Sequence, residues 1–195
     1  MRAWNSPLFK TLTMACDLTS GRKVPCKDQI GGIIRAWFVD FGDLGTVSKT
    51  GDEITDVSGT FSAYQYDLKG TNSLEQAITS SRENGTTFFE QTITLGLPKL
   101  SKEDNKELKL MAYGRPHVVI EDRNSNFMLC GLEHGCEVTG GSVATGTAFG
   151  DMSGYTLTLS ASELQPANFI SGGNSGNPFA GCSSATPTVV VGSNS

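Results

Sequence analysis

The chain has 195 residues, which is enough for one ordinary domain with a hydrophobic core. Hydrophobic residues make up 37% and charged residues 18%, so a folded chain is expected over a disordered one. The 23 glycines favour strands joined by turns over a helical bundle. The net charge of −5 disfavours a protein that grips nucleic-acid phosphates. It suits a surface along which DNA passes without sticking.

The cysteine pattern favours free thiols over a disulfide framework. The count is odd and the spacing irregular: Cys16, Cys26, Cys130, Cys136 and Cys182. Such thiols are typical of assembly in a reducing cytoplasm. No signal peptide is predicted, because the first residues carry Arg2 and Lys10 without a continuous apolar core, and no apolar run is long enough to span a bilayer.

The N-terminal part of the chain is predicted to be an extended arm. Residues 1–30 contain Pro7 and Pro25 and lack periodicity, and Met14 is a possible alternative start. A buried strand is predicted over residues 33–41, followed by a half-buried strand over residues 60–69, in which polar and apolar side chains alternate.

A long hairpin is predicted next. Residues 74–78 and 88–97 alternate, and the polar segment 80–87 contains the turn-prone pair Asn84-Gly85. We therefore interpret residues 60–97 as long antiparallel strands joined by a protruding polar loop.

One helix is predicted, over residues 101–113. Ser101 is a suitable N-cap with Asp104 three residues on, and Gly114 ends the helix. Its buried stripe would consist of Leu108, Met111 and Ala112, which lie at positions i, i+3 and i+4.

The rest of the chain is predicted to be strands and a tail. Residues 117–122 and 127–132 form a hairpin, residues 137–147 give one Gly-rich strand or two short ones, and Tyr155, Leu157 and Leu159 mark a last clear strand. Residues 171–195 are rich in Gly, Ser and Asn. This composition leaves two interpretations open, a loose tail or an arm that orders only on a neighbouring subunit.

Metal and catalytic motifs are weak. Cys130, His134 and Cys136 are candidate zinc ligands, but a fourth ligand and C-x-x-C spacing are lacking, so buried cysteines and a surface histidine are the better interpretation. Ser175, in the sequence GNSGNP, resembles a serine-protease nucleophile loop without the required histidine base.

The remaining candidates are adjacent acidic pairs, which we interpret as solvated turns or helix caps: Asp52-Glu53, Glu103-Asp104 and Glu121-Asp122. No phosphate loop or dinucleotide fingerprint occurs. We predict no catalytic, cofactor-binding or metal-binding residue, and no enzyme.

A resemblance to a known family lies in residues 83–163. A long hairpin, one helix, a hairpin with the sequence VVIEDRNSN (residues 118–126) and a Gly/Thr-rich strand follow one another as in bacteriophage tail-tube proteins. The strand GDMSGYTLTL (residues 150–159), followed by Glu163 and Pro166, is similar to the end of such proteins and of ring-forming tail proteins of crAss-like phages of Bacteroidetes.

This resemblance implies a mainly-β fold, a tail-tube-like β-sandwich or half-barrel with one flanking helix at about residues 101–113 and extended terminal arms. The domain organisation would be an N-terminal arm (residues 1–30), a β domain (residues 31–170) and a C-terminal tail (residues 171–195).

The function that the resemblance implies is that of a virion structural protein. The chain would form a homo-oligomeric ring, commonly a hexamer, that stacks with other tail proteins into a tube for DNA ejection, without specific DNA binding, membrane or cofactor. Assembly would take place in the bacterial host cytoplasm. A ring or connector of a short tail or head–tail junction and a head decoration protein are the alternatives. A ligand-binding surface domain is a further class, disfavoured by the odd cysteine count.

Overall fold

The structure, a computed structural model, describes residues 20–23, 27 and 29–192. About half of the described chain is β-strand, and its single helix, α1, spans Lys102–Tyr113. The strands are β1 (Ile33–Val39), β2 (Val47–Thr50), β3 (Glu53–Val57), β4 (Gly59–Asp67), β5 (Ser73–Ser81), β6 (Thr86–Pro98), β7 (His117–Asp122), β8 (Phe127–Cys130), β9 (Glu137–Ala144), β10 (Gly154–Glu163), β11 (Asn168–Ile170) and β12 (Ala185–Val191). The predicted mainly-β class with one helix is confirmed.

The strands form two sheets. The larger has eight strands in the order β12-β4-β1-β7-β8-β11-β3-β2, and the smaller has four in the order β5-β6-β10-β9. Every pair in the smaller sheet is antiparallel. In the larger sheet, β12 pairs with β4 and β11 pairs with β3 in parallel.

The larger sheet curls towards a barrel. β4 is second and β3 seventh in its strand order, yet only Ser58 separates them along the chain. Consecutive Cα atoms are about 3.8 Å apart, so one residue can join these strands only if the sheet bends back on itself. Gly45 makes this corner possible, since a Cβ atom there would lie 2.6 Å from the Ser58 carbonyl oxygen.

Two hydrophobic cores result from this arrangement. The first lies between the sheets and joins residues of β1, β6, β7 and β10 with Leu108 of α1. The second fills the concave side of the larger sheet and includes Trp37, Ile54, Phe61 and Leu129. Alternate residues of β1 and β7 therefore face different cores, which explains why the sequence of β1 is apolar almost throughout.

Residues 171–192 pack against the rest of the chain, so this segment is neither a loose tail nor an arm that orders only on a neighbouring subunit. Phe179 is 1% exposed and packs edge-on against Phe61 within the second core, with ring centroids 5.1 Å apart. β12 then extends the larger sheet by pairing with β4. Composition misses this order because hydrogen bonds between Asn174 and Asn177 stabilise a compact turn that looks like low-complexity sequence. The domain thus extends past residue 170 to residue 191.

The predicted hairpins are confirmed in part. β5 and β6 form a long hairpin whose turn is residues 82–85, and β7 and β8 form the second. The interpretation of residues 60–97 as one antiparallel set is wrong, because β4 and β5 belong to different sheets. Gly70, with φ 87°, redirects the chain between them.

The helix begins and ends where the sequence predicts. Ser101 caps it, accepting a hydrogen bond from the Asp104 amide at 3.0 Å, and Gly114 follows its last residue. Its buried stripe is narrower than predicted, since Leu108 is buried, Met111 is partly buried and Ala112 is exposed. The described part of the chain contains no helix with the length and apolarity needed to cross a bilayer.

Most of the predicted N-terminal arm, together with Met14, Cys16 and Cys26, lies outside the described residues. The Gly-rich segment after residue 136 forms one strand, β9, with an irregularity opposite Thr158 and Leu159 of β10.

Candidate assembly interface

The smaller sheet has two long edge strands that pair on one side only within the described chain. β5 has nine residues and pairs with β6, and β9 has eight residues and pairs with β10. The outer side of each strand presents backbone N–H and C=O groups to which another strand can bond.

Neither edge strand carries the features that usually block edge-to-edge pairing. Natural proteins protect sheet edges with lysines, prolines or very short strands. β5 and β9 contain no Lys, Arg or Pro, and each contains one acidic residue, Glu75 and Glu137 respectively. The residues of β5 and β9 therefore do not block pairing with a further strand.

Both edges expose an apolar side chain on the face that points towards the first core. Ile78 pairs with Phe89 of β6 and is 70% exposed, and Val143 pairs with the buried Tyr155 of β10 and is 64% exposed. Directly paired residues lie on the same face of a sheet. Ile78 thus continues the core-facing row of Phe89 at the β5 edge, and Val143 continues the row of Tyr155 and Leu97 at the β9 edge.

The opposite face of the smaller sheet carries hydroxyl groups and carboxylates. Its residues, identified by the register, include Thr92, Thr94, Thr156, Thr158 and Ser160. Three glutamates lie on the same face, Glu75, Glu90 and Glu137. No Lys or Arg occurs anywhere in β5, β6, β9 or β10. The face is therefore acidic without any compensating cation from its own strands.

The edges of the larger sheet differ from these. β2 has only four residues and carries Lys49, and β12 contains Pro187, which has no backbone N–H to donate. Short length, a lysine and a proline are the common ways of blocking an edge. Pairing of further strands is disfavoured there.

The β5–β6 hairpin extends beyond the neighbouring strand β10. Pairing of β6 with β10 ends at Phe89, whereas pairing with β5 continues to Thr86. Residues 82–87, at the tip, are exposed. The polar loop predicted over residues 80–87 is thus the end of a strand pair with a short turn.

The structure separates the cysteines from a potential ligand cluster at His134. Cys130 and Cys136 are buried, and burial raises the pKa of both thiols, that of Cys136 to about 12. Thiols that stay protonated are poor metal ligands. Within the described ranges, three potential metal ligands lie close together, and they are Glu133, His134 and Glu163. Sequence spacing did not point to Glu163 because this residue lies 29 residues from His134 along the chain.

Ser175 bonds to a carboxylate and not to a histidine. Its hydroxyl donates to Glu121 Oε1 at 2.7 Å, and Glu121 Oε2 accepts from Arg35 Nη1 at 2.8 Å. This contact links the C-terminal segment to β1 and β7 on the concave side of the larger sheet. The histidine base of the serine-protease arrangement is not among the hydrogen-bond partners of Ser175, whose hydroxyl instead bonds to a carboxylate that Arg35 also holds.

Two of the three acidic pairs occupy the predicted settings, but the prediction of a solvated turn is wrong for Glu121, which is 2% exposed within β7 because Arg35 pairs with its carboxylate. Glu103 and Asp104 lie in the first turn of α1, where they stabilise the helix N-terminus. Asp52 lies in the turn before β3 and Glu53 is its first residue, next to a shallow surface cleft of about 440 Å³.

His117 is a buried histidine that the sequence analysis did not single out. Its Nδ1 atom lies 2.6 Å from the Gly131 carbonyl oxygen, and its Nε2 accepts from the Gly42 amide at 3.4 Å. These partners fit a neutral ring that carries its proton on Nδ1. Burial lowers the pKa of His117, which favours the same neutral form.

Comparison with known proteins gives no relative: no protein-family model, curated protein or solved structure matches this chain.

Proposed function

We propose that the protein is a virion structural subunit of a bacteriophage tail, which pairs edge to edge with copies of itself to form stacked rings around a DNA channel. The observation that carries this proposal is the pair of unblocked edges, β5 and β9, at opposite sides of one four-stranded sheet. Two different edges on one subunit make a head-to-tail contact, and such contacts close into a ring when the rotation between copies allows it.

Strand direction is compatible with this contact. The order β5-β6-β10-β9 alternates in direction through antiparallel pairs, so β5 and β9 run in opposite directions. Rotation about an axis along the strands leaves every direction unchanged. β9 of one copy therefore meets β5 of the next as an antiparallel partner, and the alternation continues around the ring without a break.

The exposed apolar side chains at the two edges would be covered by this pairing. Ile78 and Val143 lie on the core-facing side of their strands. When β5 and β9 of neighbouring copies pair, each of these side chains gains a cross-strand neighbour from the adjoining copy on the core-facing side. Burial of apolar surface contributes about 25 cal/mol per Å².

Ring dimensions support about six copies. Strands lie about 4.8 Å apart, so four strands contribute roughly 19 Å and six copies roughly 115 Å of circumference. The diameter through the backbone is then about 37 Å, or more if the strands tilt, and about 27 Å remain after side chains of about 5 Å on each side. A ring of four copies would leave only about 15 Å by the same calculation, too narrow for duplex DNA.

The lining expected for such a ring is suited to DNA passage. With the core-facing side turned outward, Glu75, Glu90 and Glu137 would point into the channel among Thr and Ser side chains. Carboxylates repel the phosphates of DNA, and a surface without Lys or Arg offers no counterion-releasing contact. The DNA would pass without binding. The protruding β5–β6 hairpin is the element that we assign to contacts between stacked rings and with other tail proteins.

The experiment uses the purified full chain. Size-exclusion chromatography with light scattering, and negative-stain microscopy, are expected to show rings roughly 10 nm wide that stack into tubes. A strictly monomeric protein at millimolar concentration would contradict the proposal. Single rings that never stack would favour the alternative, a ring or connector of a short tail.

A hairpin variant tests the stacking role separately. Because Thr79 pairs with Phe88, residues 80–87 can be replaced by Asn-Gly, which closes a two-residue turn at that pair. Rings should still form, and tubes should not. Tubes of normal length would show that the hairpin does not mediate stacking.

A further inference from the structure

The loop between β8 and β9 folds around the carboxylate of Glu163. This side chain, at the end of β10, is 4% exposed, and its Oε1 accepts hydrogen bonds from the amides of Glu133 at 3.1 Å and His134 at 2.9 Å. Its other oxygen, Oε2, lies 3.3 Å from Nδ1 of His134. The carboxylate is thus fixed by one oxygen and points the other at an imidazole nitrogen.

The loop itself is held in place at both ends. Gln91 accepts the Gly131 amide at 3.0 Å through Oε1 and donates to the Gln165 carbonyl oxygen through Nε2. Gly135, with φ 76°, packs so closely that a Cβ atom would lie 2.5 Å from the Arg115 carbonyl oxygen. Glu133 and His134 are therefore presented on a short loop with little conformational freedom.

The distances match the first coordination shell of a small divalent ion. The ligand atoms of Glu133, His134 and Glu163 all lie within 4.8 Å of one another. Two ligands at about 2.1 Å from a tetrahedral ion are about 3.4 Å apart. The observed distance of 3.3 Å between His134 Nδ1 and Glu163 Oε2 is close to that spacing.

The charges of the three side chains also favour a bound cation. Two carboxylates, one of them buried, converge on a single imidazole, and in the described part of the chain the only ion pair of Glu163 is with His134. A buried carboxylate is costly unless it is paired or ligates a metal. The backbone amides on Oε1 are the kind of outer hydrogen bonds that orient a ligating carboxylate.

From this geometry we propose that Glu133, His134 and Glu163 bind one Zn²⁺ or a similar first-row divalent ion, with water completing the shell. The imidazole ligand disfavours Ca²⁺ and Mg²⁺, which prefer all-oxygen shells. Bound metal would link the β8–β9 loop to the end of β10. This site does not depend on the proposed assembly into rings.

The test is metal titration of the full chain. Zn²⁺ binding is followed by isothermal titration calorimetry, and Co²⁺ binding by the visible absorption that intensifies when a four-coordinate site replaces water. One ion per chain is expected. Glu133→Gln and His134→Gln should each weaken binding at least tenfold, whereas Glu107→Gln, the same change of charge as Glu133→Gln at an exposed position of α1, should leave it unchanged.

The decisive variants are Glu133→Gln and His134→Gln, because both of these side chains are exposed. Glu163→Gln also disturbs the acceptor of two backbone amides, so its effect on folding is measured by circular dichroism and it serves only as a supporting variant. Binding that does not saturate at one ion, or that is the same in Glu133→Gln and His134→Gln as in the native chain, overturns the proposal. Ring formation by a chain that binds no metal would overturn the metal site alone.

Discussion

The two sheets of this protein differ in whether their edge strands carry features that block pairing with a further strand. The larger sheet curls, fills its concave side with the C-terminal segment, and ends in a four-residue strand with Lys49 and a strand with Pro187. The smaller sheet is fully antiparallel and ends in two long strands without Lys, Arg or Pro. Unprotected edges invite pairing, and their restriction to one sheet is the reason why the proposed self-association is assigned to that sheet.

This difference separates stability from assembly. The larger sheet is stabilised by contacts within one chain. Phe179 packs in its core, and the Glu121 carboxylate bonds to both Arg35 and Ser175. The smaller sheet buries one face on the first core, and both of its edge strands pair on one side only within the described chain. Variants in the first region should change unfolding, and variants at the edges of the second should change association.

The largest effect on association is expected from lysine at the open edges. Ile78→Lys or Val143→Lys places a charge where pairing of β5 with β9 would bury an apolar side chain, and an unpaired buried charge costs about 3 kcal/mol or more. We expect association to weaken roughly 100-fold, measured by sedimentation velocity, with the circular dichroism spectrum unchanged. Ser48→Lys in the blocked strand β2 is the matched control, and should assemble normally. Native assembly by both edge variants would refute the assignment of these edges.

Removal of the Phe179 ring should be the largest perturbation of stability. Phe179→Ala leaves a cavity beside Phe61 in the second core, and such truncations cost about 3–5 kcal/mol. Urea unfolding at one fixed protein concentration measures this loss. The control is Phe169→Ala, in which the side chain is about half exposed and the expected change is small. If the two variants unfold at the same urea concentration, the C-terminal segment does not stabilise the larger sheet as described.

A smaller loss is expected from Ser175→Ala. The substitution deprives the buried Glu121 Oε1 of its hydroxyl donor, which costs about 1–3 kcal/mol when no other donor replaces it. Ser183→Ala removes a longer, exposed bond to Asp56 at 3.4 Å and should have little effect. Equal unfolding midpoints for the two alanine variants would show that the Ser175 bond does not hold the segment in place.

Local sequence patterns predicted the elements whose signals are local. The alternation of β6 and β10, the Asn84-Gly85 turn and the Ser101 cap each depend on residues within one strand, turn or helical turn. The bend at Ser58, the pairing of β12 with β4 and the position of Phe179 depend on contacts between distant parts of the chain. Periodicity contains no information about such partners.

The candidate sites follow the same rule. The edges of the smaller sheet become visible only when strand order is known, because any of the predicted strands was a possible edge. The cluster at His134 needs Glu163 from the end of β10, whereas sequence spacing pointed to Cys130 and Cys136, which are buried. Short Gly/Asn/Ser segments were likewise interpreted by composition, although Asn174 and Asn177 form a compact turn.

The smallest effect expected is a pH dependence that belongs to the larger sheet. His117 is the first residue of β7, and none of the four strands of the smaller sheet contains a histidine. Burial lowers the pKa of His117 in the folded protein, whereas the unfolded chain keeps a value of about 6.5. Below that pH the unfolded state therefore binds more protons than the folded state.

The sign of the effect follows from this difference in proton binding. The contribution of neutral His117 to stability is complete above pH of about 6.5 and decreases as the pH falls towards the lowered pKa of the folded state. Urea midpoints at neutral and mildly acidic pH should thus differ more in the native chain than in His117→Gln, which cannot be protonated. The edge variants, compared at the same two pH values, should keep the native pH dependence. A pH dependence that is unchanged in His117→Gln, or lost in an edge variant, would locate the titrating group elsewhere, because only proton uptake at His117 is removed by that substitution.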